Sequence, residues 1–239
     1  MKIKSFAITD IGLKRKVNQD AFLKDEEAGI FIVADGMGGH KGGEVASQLA
    51  VHGIQTFCRS NAKILPAERL NLAINAACEE IYIRSAENAE LKGMGTTVLA
   101  LLFEKGEAFL AQVGDSRGYL MAAGQLWQIT EDHSLLNEEL RSGRIAADQI
   151  QNYQFKNVIT RSVGYENKVA VDVYRRVLVP GDTFLLCTDG LSGLVEAGEM
   201  GNEMKKHGIE QGLRTLITLA NSRGGDDNIT ALACQVENL

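Results

Sequence analysis

Thr96-Thr-Val-Leu-Ala-Leu-Leu-Phe103, Glu104-Lys-Gly106, Glu107-Ala-Phe-Leu-Ala-Gln-Val113, Gly114-Asp-Ser116, Arg117-Gly-Tyr-Leu-Met-Ala122, Ala123-Gly124 and Gln125-Leu-Trp-Gln-Ile129 follow one another without a break. Short apolar runs interrupted every few residues by Gly-containing breaks read as strands, because no run is long enough for a buried helix. The connections Glu104-Lys105-Gly106 and Ala123-Gly124 suit tight hairpins, so neighbouring strands here are expected to be antiparallel. A parallel arrangement would need a long crossover after each strand, and this stretch contains none.

Outward from this block, residues 3–9, 19–24 and 30–34 read as short strands on the N-terminal side, with further strands at 169–177, 182–188 and 229–236. Ala46, Leu49, Ala50, Gly53, Ile54 and Phe57 keep helical spacing, as do Leu70, Ala73, Ile74, Ala77, Cys78 and Ile81 in a helix opening near Pro66. Ile209, Leu213, Leu216, Ile217 and Ala220 mark a third helix, and Glu196–His207 before it looks short of apolar anchors. Residues 134–165 are polar and resemble a lid. Helices set between blocks of hairpin-linked strands predict an α+β fold of antiparallel sheets covered by helices.

At 239 residues, with 45% apolar and 23% charged residues, the chain suits one large domain or two small ones. No repeat or linker divides it, so a single domain over 1–239 is expected. A net charge of −6 and the lack of any Lys/Arg-rich block argue against nucleic acid as a partner. No stretch reaches membrane-spanning length and the N-terminus lacks a secretory apolar region, so a cytoplasmic protein is expected. Cys58, Cys78, Cys187 and Cys234 are widely spaced in apolar or helical stretches and read as reduced, buried thiols. A cysteine phosphatase built on Cys187 would need an arginine six residues on, where Gly193 stands.

The chemistry lies in aspartates beside glycines at strand ends: Asp35-Gly36, Gly114-Asp115, Asp189-Gly190 and Gly224-Gly225-Asp226-Asp227. Each alone is ordinary turn chemistry. Four recurrences at the ends of separate apolar runs point to a shared oxygen-only site for hard divalent cations such as Mg²⁺ or Mn²⁺. The segment Asp35-Gly-Met-Gly-Gly-His-Lys-Gly-Gly-Glu44 fits neither a dinucleotide fingerprint, which needs Gly at the position of Lys41, nor a nucleotide P-loop. Its glycines are better suited to bringing backbone close to a metal, with the Gly36 carbonyl as a candidate ligand. In Lys14-Arg15-Lys16, the lysines read as solvated turn charges, whereas Arg15 near a metal would hold two phosphate oxygens in a fork.

Taken together, Arg15…Asn18-Gln19-Asp20, Val33-Ala-Asp35-Gly-Met-Gly-Gly-His40, Gly95-Thr-Thr97, Val113-Gly-Asp115-Ser-Arg117, Asp132-His133, Cys187-Thr-Asp189-Gly-Leu191 and Gly224-Gly-Asp-Asp227-Asn228-Ile-Thr230 resemble, in order, the PP2C (PPM) family of metal-dependent protein serine/threonine phosphatases in its compact bacterial form. The resemblance implies a four-layer α-β-β-α sandwich of two antiparallel sheets with a binuclear Mn²⁺/Mg²⁺ centre at one end. It implies that Asp35 bridges the metals with the Gly36 carbonyl on one of them, that Asp189 and Asp227 complete the other, and that Asp20 acts through bound water. Asp115, with Asp189, matches a third, weaker metal site, and Arg15 matches the phosphate-binding arginine. His40 stands where bacterial members handle substrate or donate a proton; as a lone His in a glycine-rich loop it reads equally as a surface residue. Asp132 and His133 read as support at a turn. Thr188 stands where Ser is usual, and Gly193 where Asp or Asn is frequent.

The implied reaction is hydrolysis of phosphoserine and phosphothreonine monoesters by in-line attack of a metal-bridging hydroxide, with Arg15 and the metals balancing charge on the equatorial oxygens. The implied partners are phosphoproteins and a bacterial serine/threonine kinase whose work the enzyme reverses, and a monomer is expected. A phospho-binding adaptor without turnover, and a hydrolase of small phosphorylated metabolites, are the competing readings. Residues 137–164, which carry Gly143 and Gly164 as candidate hinges, are expected to form a flap beside the site.

Overall fold

A computed structural model describes residues 1–146, 149–150, 153–155 and 157–238, with the side chains of 39–41 outside the description. Two antiparallel sheets form its centre. One has the order β1 (Lys2–Asp10), β11 (Ile229–Asn238), β10 (Thr183–Cys187), β7 (Arg117–Ala122), β8 (Gln125–Gln128). The other runs β2 (Asp20–Asp25), β3 (Ile30–Met37), β5 (Val98–Glu104), β6 (Glu107–Val113), β9 (Asp172–Val177), with the short β4 (Gly95–Thr96) beside β3. Lys105 and Gly106 both take positive φ, as do Ala123 and Gly124. That is the twist of a type I′ turn, which matches the right-handed twist of the strands it joins.

Three apolar layers hold the sandwich. Between the sheets lie Phe31, Leu99, Leu101, Phe184, Leu186 and Leu232, all with 1% exposure or less, and Phe103 stacks edge-on against Phe31 and Phe184. Helices α1 (Gly39–Ser60) and α2 (Pro66–Glu87) cover the β3 sheet through Ala46, Ala50, Ile54, Leu70, Ile74 and Ile81. Helix α5 (Ala197–Ser222) covers the β11 sheet through Leu213, Leu216 and Ile217. The α-β-β-α order is therefore the one expected.

Several details differ from the sequence reading. The expected strand Thr96–Phe103 divides at Thr97, because the Thr97 hydroxyl accepts from Asp35 N and the Thr97 amide donates to Asp35 O. Glu196–His207 is not short of anchors: α5 starts at Ala197 and buries Met200 and Met204 one turn apart, with a break at Gly208 (φ 75°). The short helices α4 (Asp189–Ser192) and Ala89–Leu91 were not anticipated. In the polar segment, α3 (Leu135–Arg141) is capped by the Ser134 hydroxyl, which accepts from Asn137 N.

Candidate metal centre and phosphate cleft

Strand register brings the first two carboxylates together. Asp20 and Asp35 are directly opposed partners on β2 and β3, so their side chains share a face at the open end of that sheet. Asp115 lies in the turn that carries the chain from β6 to β7, hence from one sheet to the other. Asp189 opens α4 just after β10, and Asp227 stands just before β11. Both sheets therefore contribute acids to one end of the sandwich, where Asp35, Asp115, Asp189 and Asp227 line a cleft of about 750 Å³ together with Lys14, Arg15, Lys16 and Gly36.

Glycine makes the close approaches here. A Cβ on Gly36 would lie 2.0 Å from the Gly43 carbonyl oxygen in the first turn of α1, and one on Gly190 would lie 2.0 Å from the Asn228 carbonyl oxygen. Asn228 uses its whole side chain to pin the β1–β2 loop: its amide donates to Ile11 O (2.9 Å) and Val17 O (3.1 Å), and its Oδ1 accepts from Gln19 N (2.8 Å). Leu13 N also donates to Gly225 O at 2.8 Å. Arg15 thus sits on a fixed loop, and its Nη2 donates to Asp227 Oδ2 at 2.5 Å.

A chain of hydroxyls supports Asp20. Thr188 Oγ1 donates to Asp20 Oδ2 (2.9 Å) and accepts from Thr230 N (3.0 Å), and the Thr230 and Thr9 hydroxyls are 2.7 Å apart. Threonine at 188 thus keeps the hydroxyl that serine would supply. Gly193 has φ −76° and donates its amide to Asp189 O at 2.7 Å, so it closes α4 in ordinary helical backbone. His133 is also placed by geometry: Gly114 N donates to its Nδ1 (3.1 Å), which puts the ring proton on Nε2, facing Asp172 Oδ2 at 3.0 Å. Thr160 N donates to His133 O at 2.8 Å, so His133 ties the Asp115 turn to the 137–164 segment. The Arg117 guanidinium forks onto Asp132, at 2.7 and 2.9 Å to Oδ2.

Burial, then repulsion from Asp20, Asp189, Asp115 and Asp227, pushes the Asp35 carboxyl well above the usual carboxylate range. Burial raises Asp20 to about 7 against the hydrogen bonds from Thr230 and Thr188, and raises Asp115 to about 7 with Asp189 adding repulsion. Asp189 rises through burial and the nearby Asp227 charge. Among the described residues, no three His, Cys, Asp or Glu side chains already converge on one point as a ligand set. The donors nonetheless fit hard cations. Asp20 Oδ1 and Asp189 Oδ1 are buried without a hydrogen-bond partner, and Asp35 and Asp189 line the same cleft. Ionised carboxylates crowded in this way repel one another unless a proton or a cation sits among them. An all-oxygen set of this kind selects Mg²⁺ or Mn²⁺ over softer metals.

Of the expected residues, Asp35, Gly36, Asp115, Asp189, Asp227 and Arg15 line the cleft, and Asp20 stands behind them. His40 is near the start of α1, and its side chain lies outside the described residues. Lys14 and Lys16 are exposed, as solvated turn charges are, and both also line the cleft, with Lys14 paired to Asp226. Asn157 and Ile159 also line the cleft, and no sequence signal marked them individually. The four cysteines are free and buried, and burial pushes the Cys187 thiol up to about 12, which leaves it inert.

A fold of this kind with strand-end carboxylates at the mouth of the sandwich defines a metal-assisted hydrolase, and comparison with known proteins narrows the class. Residues 14–232 match the family model for protein phosphatase 2C, and the chain belongs to that family. It is 41% identical to the serine/threonine phosphatase stp of Listeria monocytogenes, over 94% of this chain and 92% of the relative. The Mycobacterium tuberculosis serine/threonine phosphatase PstP/Ppp superimposes with a TM-score of 0.92 at 32% identity, covering 99% of each chain. A PstP catalytic domain solved in complex with two manganese ions gives 0.87 at 32% identity, again over 99% of each chain.

Proposed function

We propose that this protein phosphatase hydrolyses phosphoserine and phosphothreonine esters of proteins in the Asp35–Asp189–Asp227 cleft. The enzyme is metal-dependent and uses Mn²⁺ or Mg²⁺. The observation that carries the site assignment is the meeting of these carboxylates in one cleft beside Arg15, with buried oxygens of Asp189 and of the adjoining Asp20 left without a hydrogen-bond partner. Asp35, Asp189 and Asp227 would hold two ions with help from the Gly36 carbonyl, Asp20 would act through water, and Asp115 with Asp189 would hold a weaker third. When bound, the ions supply the Lewis acidity that makes water nucleophilic at neutral pH and stabilises charge on the phosphoryl oxygens.

The chain's own residues do the rest. The Asp20 carboxylate is held by the Thr188 hydroxyl and the Asp35 backbone by Thr97 and by its register with Asp20, so the strand ends that carry these acids are preorganised for binding. Arg15 turns from Asp227 to take two phosphate oxygens in its fork. His40 is the candidate proton donor to the departing serine or threonine oxygen. The proposal includes one catalytic domain over 1–239, with 137–164 as a flap that contacts protein substrates. On family grounds it extends to a cytoplasmic monomer that reverses a bacterial serine/threonine kinase.

Phosphopeptide turnover with added Mn²⁺ tests the reading. Asp35→Asn and Asp227→Asn are each expected to lose several orders of magnitude in kcat, and thiol alkylation to leave the parent active. Near-normal turnover in chelator, or in either variant, refutes it. Binding of phosphopeptide without turnover would identify an adaptor, and faster turnover of small phosphorylated metabolites than of phosphopeptides would identify a metabolite hydrolase.

A further inference from the structure

The chain carries a net charge of −6, yet three consecutive cations, Lys14, Arg15 and Lys16, line one wall of the cleft. Two of the three are matched: Lys14 pairs with Asp226, and Arg15 with Asp227. Lys16 is exposed and has no ion pair or hydrogen bond among the described residues. Its loop is held by the Asn228 and Gly225 hydrogen bonds described above, so the ammonium is displayed from a fixed base. A surface lysine on a loose turn would be unremarkable. This one lies beside the arginine proposed to grip the phosphate, and it faces the cleft that the substrate must enter.

Resting on the phosphatase reading, we infer that the Lys14–Lys16 rim selects phosphopeptides that carry acidic side chains close to the phosphorylated residue. An extended peptide advances about 3.3–3.6 Å per residue. With its phosphate at Arg15, carboxylates roughly one to three residues away come within reach of a lysine side chain next to that arginine. Asp226 already occupies Lys14, so Lys16 carries the larger share. Because the rim is solvent-exposed, each ion pair is modest, about threefold in kcat/KM, and is weakened by salt as the screening length shrinks from about 10 Å at 0.1 M to about 3 Å at 1 M.

The test compares two phosphothreonine peptides, one with Asp or Glu at the flanking positions and one with Ala, on the Mn²⁺-loaded enzyme and its variants. The parent is expected to favour the acidic peptide by about threefold to tenfold at low salt, with the ratio falling towards one at high salt. Lys16→Gln should remove most of the preference and Lys16→Glu should invert it, while Lys14→Gln has the smaller effect. Turnover of a chromogenic phosphomonoester by each variant reports that its centre is assembled. Equal turnover of the two peptides by the parent, or an undiminished ratio in Lys16→Glu, overturns the inference while leaving the phosphatase reading intact. No turnover of either peptide overturns that reading, and the inference with it.

Discussion

Stripping the metal should turn the cleft into a pH-dependent weakness, with a sign opposite to that of most buried carboxylates. Asp20 and Asp115 are each raised from 3.8 to about 7, chiefly by burial. The folded, metal-free protein therefore holds their protons more tightly than the unfolded chain does. Stability from this source is fully present below pH 3.8 and is lost as pH rises to about 7. At about 1.4 kcal/mol per pH unit, the full effect would be roughly 4 kcal/mol per carboxyl. Both residues are only partly shielded from solvent, so about half of that, some 2 kcal/mol each, is a fair expectation. For a chain of this size 1 kcal/mol moves Tm by about 2–4 °C. About two of those three pH units lie above pH 5, leaving roughly 2.5 kcal/mol for the pair, so thermal unfolding of chelator-treated protein should show Tm falling by about 5–10 °C between pH 5 and pH 8. Saturating Mn²⁺ should restore it, more strongly at pH 8 than at pH 5, and binding at pH 7 should release protons measurable by calorimetry in buffers of different ionisation enthalpy. A metal-free Tm that is flat or rises over this range would refute the crowding of carboxylates on which the site assignment depends.

Arg15→Ala is expected mainly to raise KM for phosphopeptides, with a smaller loss in kcat, and Arg15→Lys to recover only part, because one ammonium does not reproduce the fork. Unchanged kcat/KM would make Arg15 only the Asp227 partner seen here. Asp115→Ala should still bind two Mn²⁺ by calorimetry while turning over phosphopeptide much more slowly; loss of all metal would move Asp115 into the central pair. Away from the site, Asp25 accepts from Arg59 through both oxygens at 2.7 Å, and this bond is the main cause holding its carboxyl near 2. Asp25→Ala should cost about 2 kcal/mol by chemical denaturation, since Arg59 is half-exposed and regains water. In the parent this contribution, present above pH 3.8, is lost as pH falls through about 2.

Much of this was legible because local and global signals agree. The hairpins of 96–129 announce themselves through length and turn residues, and the strand-end Asp-Gly pairs mark the carboxylates before any contact is known. What stayed hidden depends on long-range register. No periodicity states that Asp20 faces Asp35, and no composition states that Asn228 pins residues 11–19 from more than two hundred positions away. The anchors of Glu196–His207 were missed because two methionines in a polar, glycine-containing stretch make a weak pattern, although one turn of spacing puts Met200 and Met204 on a single buried face. That the exposed Lys14 and Lys16 also line the cleft stayed hidden because sequence alone does not say which side of a turn faces a cavity.

The carboxylates come from different sheets: Asp20 and Asp35 from one, Asp189 and Asp227 from the other, with Asp115 on the crossing between them. Neither half of the sandwich owns a working site. On the proposed site assignment, catalytic competence is a readout of tertiary completion, arriving only when the two sheets have docked and the Thr9–Thr230–Thr188–Asp20 chain has closed across the join.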